Sequence, residues 1–146
     1  MKTQILIIED CEMMQRFLKN FLKKNFEITI APDRKTAENI LYNSDYQSDI
    51  ILMDVNLPDG NGLDFINEIK LNPHFFKTAV MAFSGEKDMN IRWQALESGA
   101  DDFMSKPFLP KELDVRLKKL VKPVRTSNFG WSNNVIPEEV AIQFAI

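Results

Sequence analysis

Five polar side chains that could carry chemistry stand where short apolar segments of this sequence end. Glu9 and Asp10 follow one segment, Asp54 a second and Ser84 a third, and Lys106 lies at the end of a weaker one. If these segments are parallel strands, their carboxyl ends meet at one edge of a sheet and bring the five groups together. Three carboxylates in that space repel one another unless a cation lies among them. We therefore expect a metal site, and its few oxygen ligands favour Mg2+ over a fully caged Ca2+.

The lysine and the serine add positive charge and hydrogen-bond donors that suit a phosphoryl group. A carboxylate can attack phosphorus in line and form an acyl phosphate, provided that the charge on the equatorial oxygens is neutralised. Asp54 is the best-placed nucleophile, and Lys106 and Ser84 would bind the phosphoryl oxygens. The predicted protein ligands of Mg2+ are the carboxylates of Glu9, Asp10 and Asp54 and the backbone carbonyl of Asn56.

The elements that position these groups appear as an alternation of apolar runs and helical patterns. Three runs lack polar alternation, as strands buried on both faces do, and two weaker segments complete a set of five strands, near residues 5–8, 27–31, 50–53, 79–83 and 102–106. A helical pattern follows each strand, near residues 13–22, 34–42, 62–72, 87–98 and 110–120. This (βα)5 alternation predicts an α/β fold: a doubly wound, five-stranded parallel sheet with helices on both faces, in a three-layer sandwich.

The first helical pattern contains an apolar stripe. Met13, Phe17 and Phe21 recur at intervals of four residues, and we assign them to the core. Cys11 is interpreted as a small residue that opens this helix, because neighbouring carboxylates disfavour a reactive thiolate.

Composition limits the class of protein. The chain has 146 residues and a formal net charge of −3, which fits one ordinary domain. Its single cysteine excludes an internal disulfide, and no apolar run approaches the roughly 20 residues of a membrane helix. The start of the chain lacks a secretory pattern, so we expect a cytoplasmic location. The acidic balance argues against direct nucleic-acid binding.

The character of the sequence changes near residue 122. We assign residues 1–122 to the αβ domain. Residues 123–146 are rich in Pro, Ser, Asn and Gly before an apolar close. This composition predicts a linker or C-terminal tail, or the start of a truncated effector domain.

Four segments in order resemble the receiver domain of two-component response regulators, of the chemotaxis-regulator-like kind. They are the acidic pair at 9–10, MDVNLPDGNG at 53–62, FSG at 83–85 and GADDFMSKPF at 99–108. The likeness spans about residues 3–121. It implies the flavodoxin-like strand order 2-1-3-4-5 and a cis peptide bond between Lys106 and Pro107.

The resemblance implies a phosphorylation-activated signalling switch rather than an enzyme. A sensor histidine kinase or phosphotransfer protein would phosphorylate Asp54, and the chain itself would only accept the phosphoryl group and hydrolyse it slowly. Ser84 and Phe103 would be the switch residues. The face formed by the fourth helix, fifth strand and fifth helix would contact an effector protein or domain, or a second copy of the chain. We expect Trp93 on this face to be at least partly exposed.

Two positions depart from the commonest form of this family. Phe103 stands where Tyr is more frequent, so a hydroxyl hydrogen bond cannot contribute and side-chain packing must bias the switch. Gly85 stands where a small residue, often Ala, is usual, which leaves space beside the phosphoryl group. We expect Phe103 to turn inward when Ser84 binds the phosphoryl group, with a modest inward population already present before phosphorylation.

Three other functions compete with the switch. A phosphohydrolase of the haloacid-dehalogenase type needs a second acid two residues after its nucleophile, where this chain has Asn56. A flavin-binding electron carrier needs a phosphate loop after the first strand, and the acidic residues there would repel a phosphate. A receiver-like scaffold without phosphorylation stays open, since only a phosphorylation assay separates it from the switch.

Overall fold

The strands form one five-stranded parallel sheet in the computed structural model, which describes residues 1–43, 45–85 and 89–121. They are β1 (Thr3–Ile8), β2 (Phe26–Ala31), β3 (Ile50–Asp54), β4 (Ala79–Ser84) and β5 (Asp102–Ser105). Their order across the sheet is β2-β1-β3-β4-β5, and every neighbouring pair is parallel. The predicted fold class and strand order are confirmed.

Five helices cover the two faces of this sheet. They are α1 (Glu12–Leu22), α2 (Arg34–Leu41), α3 (Gly62–Leu71), α4 (Met89–Glu97) and α5 (Pro110–Val121). Residues of α2, α3 and α4 share one apolar core with the sheet, and residues of α1 and α5 share the other. The result is the predicted three-layer sandwich.

Burial on both faces explains why β1, β3 and β4 are almost continuous apolar runs in the sequence. In β1, Leu6 and Ile8 belong to the core beneath α2, α3 and α4, whereas Ile5 and Ile7 belong to the core beneath α1 and α5. Successive side chains of a strand point to opposite faces, so a strand covered on both sides needs apolar residues at every position.

Local signals define where several helices begin and end. The Asp33 carboxylate accepts a hydrogen bond from the Thr36 N–H at 2.7 Å and caps α2. Pro110 begins α5, as its fixed φ favours. Gly99, two residues beyond α4, has a φ of +111°, which is costly for residues with a Cβ atom.

The element bounds differ from the sequence predictions by one or two residues. The structure adds a short antiparallel hairpin, Asn56–Leu57 paired with Gly60–Asn61, and a single 3-10 turn at Pro73–Phe75. The start of the predicted fourth helix at 87, the domain boundary at 122 and the segment 123–146 lie outside the described residues. Within the described ranges, no helix has both the length and the apolar character that a membrane span requires.

The assignment of the α1 stripe to the core is wrong. Met13, Phe17 and Phe21 are exposed, and the rings of the two phenylalanines stack at a centroid distance of 6.3 Å. The buried residues of α1 are Leu18 and Leu22, one position further along the helix. Both stripes are apolar, so periodicity reveals a wide apolar arc but not which edge of it faces the sheet.

The two stripes of α1 predict unequal losses of stability when they are truncated. Leu18→Ala should lower the free energy of unfolding by about 2–5 kcal/mol, because it leaves a cavity in the core. Phe17→Ala should cost at most about 1 kcal/mol, because it removes an exposed ring. Urea denaturation of both variants checks this, and equal losses would contradict the observed orientation of the helix.

Candidate functional site

The carboxyl edge of the sheet gathers the polar side chains that the sequence singled out. Glu9 and Asp10 directly follow β1, Asp54 is the last residue of β3, and Ser84 is the last residue of β4. Lys106 directly follows β5. Because the strands are parallel and in register, all five groups lie along one edge.

The Lys106 ammonium contacts two of the carboxylates. Its Nζ atom donates to Asp54 Oδ2 at 2.8 Å and lies 3.3 Å from Glu9 Oε2. It also lies 4.7 Å from the centroid of the Phe83 ring, a cation–π distance. One cation thus bridges the ends of β1 and β3 from the end of β5.

The Asp54 carboxylate is buried and fixed through both of its oxygens. Oδ2 accepts the bond from Lys106, and Oδ1 accepts a hydrogen bond from the Asn56 N–H at 2.8 Å. Only 6% of the residue is exposed. These two bonds orient the carboxylate before any ligand arrives.

Three carboxylates form a cluster that fits a hard divalent cation. One oxygen from each of Glu9, Asp10 and Asp54 lies within 4.8 Å of the others. Glu9 and Asp54 are buried, while Asp10 is exposed. Such a set of oxygen donors, open to solvent on one side, suits Mg2+ with water completing its coordination. Asn56 lies two residues after Asp54 and is exposed. Its backbone carbonyl stays a predicted ligand.

Burial and a second acid change the titration of Glu9. The pKa of Glu9 is raised from 4.5 to about 7, chiefly by desolvation and also by the hydrogen bond with Asp54 and the charge of Asp54, against the opposing effect of Lys106. Burial lowers the pKa of Lys106, but the Asp54 hydrogen bond and the charges of Asp54 and Glu9 outweigh it and raise that pKa. One ammonium therefore does not fully compensate the clustered carboxylates.

The two predicted switch residues are both buried. Ser84 is fully enclosed, and its carbonyl accepts the Lys106 N–H at 2.8 Å. Phe103 is only 5% exposed and belongs to the core, so its ring is buried without phosphorylation, whereas we expected the inward position to be only modestly populated in that state. An all-carbon ring gains from burial without desolvating a hydroxyl, which accounts for the difference. The Lys106–Pro107 bond is cis and Trp93 is 62% exposed, as predicted.

Two residues that support the site were missed from the sequence. The Gln15 side chain donates from Nε2 to the Glu9 carbonyl at 2.6 Å and ties α1 to the end of β1. Gly62 lies so close to the end of β3 that a Cβ atom there would be 2.7 Å from the Val55 carbonyl oxygen. In the sequence, the Asn-Gly pair at 61–62 is typical of a turn, but a glycine that opens a helix shortly after the predicted nucleophile is also a usable signal of close packing.

The sequence matches one protein family over most of its length. The family model described as response regulator receiver domain matches residues 5–118. Aerobic respiration control protein ArcA of Escherichia coli is 35% identical over 127 residues, which cover 86% of this chain and 50% of ArcA. Histidine kinase P4 of Formosa agariphila is 29% identical over 143 residues, which cover 97% of this chain and 10% of the kinase. The chain therefore spans half or less of these relatives.

Solved structures share the fold. The non-phosphorylated HemR receiver domain of Leptospira biflexa matches with a TM-score of 0.74 and 30% identity, covering 85% of this chain and 98% of that one. The receiver domain of a signal transduction histidine kinase from Syntrophus aciditrophicus matches with a TM-score of 0.76 and 25% identity, covering 92% and 97%.

The Glu9 titration predicts a pH dependence of stability without metal. Between pH 4.5 and about 7 the folded chain keeps a proton on Glu9 that the unfolded chain releases, so the contribution of Glu9 to the free energy of unfolding falls as pH rises. Urea denaturation in EDTA between pH 5.5 and 7.5 should show this fall in the native chain relative to Glu9→Gln. A constant difference between the two proteins would show that Glu9 does not hold the proton.

Proposed function

This chain belongs to the family of response regulator receiver domains, and on that premise we propose that it is a phosphorylation-activated switch with Asp54 as its phosphoacceptor. The observation that carries the proposal is the Asp54 carboxylate, held at the end of β3 between the Lys106 ammonium and the Asn56 N–H. A nucleophile fixed in this way loses little freedom when the phosphodonor arrives.

The proposed step transfers a phosphoryl group from a phosphohistidine of a sensor histidine kinase or phosphotransfer protein. An Asp54 oxygen forms a bond to phosphorus, the bond from phosphorus to the imidazole nitrogen breaks, and its electron pair stays on the imidazole. Lys106 and the Ser84 hydroxyl would bind the phosphoryl oxygens of the resulting acyl phosphate. Mg2+ held by Glu9, Asp10, Asp54 and the Asn56 carbonyl would neutralise charge on those oxygens.

The chain would act as a switch rather than as an enzyme. Accepting the phosphoryl group and losing it slowly by hydrolysis would be its only chemistry. Because Phe103 is already buried, phosphorylation would stabilise an arrangement that is populated beforehand, so we propose a population shift rather than a new conformation. A few kcal/mol of coupling suffices for such a shift.

We propose the face of α4, β5 and α5 as the output surface. Trp93 and Leu109 are exposed there, and a cleft of about 290 Å3 lies between Arg92 and Glu112. Its partner would be an effector protein or domain, or a second copy of the chain. We expect the chain not to bind nucleic acid directly, and the cytoplasmic location stays a prediction.

The phosphodonor would dock on the exposed stripe of α1, formed by Met13, Phe17 and Phe21. This helix begins two residues after Asp10, so the stripe starts beside the acidic cluster. Exposed aromatic residues in line are typical anchors of a protein interface, and they serve no purpose in the core of this chain.

Phosphorylation of Asp54 is directly testable with acetyl phosphate and Mg2+. The intact mass should increase by one phosphoryl group that hydroxylamine removes, and Asp54→Asn should not gain it. Asp114→Asn is the matched control, because Asp114 pairs with Lys118 on α5 away from the site. Labelling that persists in Asp54→Asn, or that continues undiminished in EDTA, would contradict the proposal, whereas an absence of labelling in the native chain would favour the scaffold.

If the α1 stripe is the docking surface, its loss should affect phosphorylation by a protein phosphodonor but not by a small-molecule phosphodonor. Phe17→Ala should leave the rate with acetyl phosphate unchanged but lower kcat/KM for a phosphorylated histidine kinase by about tenfold or more, because it removes an interface anchor. The kinase would be the one from the source organism that phosphorylates the native chain fastest.

Phe76→Ala is the control for this comparison. Phe76 is an exposed phenylalanine just before β4, at the opposite edge of the sheet, so its loss should change neither rate. Equal rates for Phe17→Ala and the native chain with the kinase would exclude the stripe as the docking surface.

A further inference from the structure

The hairpin that follows Asp54 is fastened to a different part of the chain at its tip. Asn56 pairs with Asn61 and Leu57 with Gly60, which leaves Asp59 in the turn. The Asp59 carboxylate accepts two backbone hydrogen bonds, from the Arg34 N–H to Oδ1 and from the Lys35 N–H to Oδ2, both at 2.9 Å. Both oxygens of one side chain therefore hold the first turn of α2.

This contact is not required to begin α2, because that helix already has its own cap. Asp33 accepts the Thr36 N–H, whereas Asp59 takes the N–H groups of the two preceding residues. The backbone hydrogen bonds from Arg34 and Lys35 are also the main reason that the pKa of Asp59 is lowered, which keeps its carboxylate charged at the positive end of the helix.

The base of the same hairpin touches the candidate phosphoacceptor. The Asn56 N–H, in the first strand of the hairpin, donates to Asp54 Oδ1. Directly after the second strand, the Gly62 N–H donates to the Val55 carbonyl at 2.8 Å. At the tip of the hairpin, Asp59 links it to α2. Hydrogen bonds thus hold the hairpin at both its base and its tip, and Asn56 at the base contacts the nucleophile Asp54.

The first residue of α2 is itself held in place by α3. The Arg34 guanidinium pairs with Glu38 on its own helix and with Glu68 on α3, and it lies 4.8 Å from the centroid of the Phe65 ring. The anchor to which Asp59 binds is therefore braced against the helix that follows the hairpin.

We propose that Asp59 is a positioning residue, which acts through the hairpin to hold Asn56 in the orientation that the phosphoacceptor site needs. Without the two bonds to α2, the hairpin tip is free to move, and ordering Asn56 upon binding of a divalent cation then costs conformational entropy. This inference rests on the proposed function for its effect on cation binding and phosphorylation. Its effect on the Asn56 hydrogen bond does not depend on that function.

The experiment compares Asp59→Ala with Asp33→Ala in the full chain labelled with 15N. Both variants remove a carboxylate that accepts backbone N–H hydrogen bonds in the first turn of α2, but only Asp59 belongs to the hairpin. In metal-free buffer, amide hydrogen exchange at Asn56 should accelerate in Asp59→Ala and stay unchanged in Asp33→Ala. Melting temperatures of the two variants report how much each destabilises the fold as a whole.

Titration with Mg2+, followed by amide chemical shifts, gives the second measurement. Asp59→Ala should weaken the Kd for Mg2+ by about two- to fivefold, the scale of a charge interaction at a helix terminus. Asp33→Ala should leave it unchanged, and Asp59→Asn, which keeps one acceptor oxygen, should lie between. Acetyl phosphate labelling at subsaturating Mg2+ should slow in the same order.

The outcomes separate this inference from the proposed function. Unchanged Asn56 exchange in Asp59→Ala, or equal acceleration in Asp33→Ala, would overturn the positioning role whether or not the chain binds Mg2+. If the native chain neither bound Mg2+ nor became labelled, the proposed function would fail, and the exchange measurement would still decide the role of Asp59. Faster Asn56 exchange together with a weakened Mg2+ affinity, in Asp59→Ala but not in Asp33→Ala, would support the positioning role of Asp59.

Discussion

The contact of one ammonium with two buried carboxylates is the constraint around which this protein is built. Lys106 must reach Asp54 and Glu9 from the end of β5, so the three strands that carry them must end at the same edge of the sheet. A buried carboxylate without a partner is costly, and one cation shared between two acids leaves part of that cost in place. The raised pKa of Glu9 expresses this remaining imbalance.

The sheet supplies the geometry that the charged cluster cannot create for itself. Carboxylates and an ammonium do not fold a chain, whereas five strands covered by two apolar cores do. The parallel arrangement places all strand ends on one side, and the loops there can vary without disturbing the cores. Support for the site then comes from backbone contacts, such as the Gln15 bond to the Glu9 carbonyl and the close approach of Gly62 to β3.

Local signals in the sequence were enough to predict the elements and the clustered polar residues, whereas contacts that depend on tertiary packing could not be predicted from it. Apolar runs and polar residues at their ends were sufficient for the sheet and for the cluster, with the family resemblance providing the strand order. The predicted orientation of α1 was wrong because the apolar arc of this helix is wider than its buried face. The burial of the Phe103 ring depends on how neighbouring side chains pack around it, which no local pattern in the sequence specifies. The Asp59 contact joins segments 24 and 25 residues apart, and no local pattern encodes it.

The separation of the two α1 stripes has a consequence for how such a protein can diversify. Leu18 and Leu22 hold the helix on the sheet, while Met13, Phe17 and Phe21 face outward and contribute little to the core. Mutations at the outward positions can therefore accumulate without unfolding the chain. A duplicated gene could acquire a new surface on this helix, and so become insulated from the signals of its parent, while the chemistry at the sheet edge stayed the same.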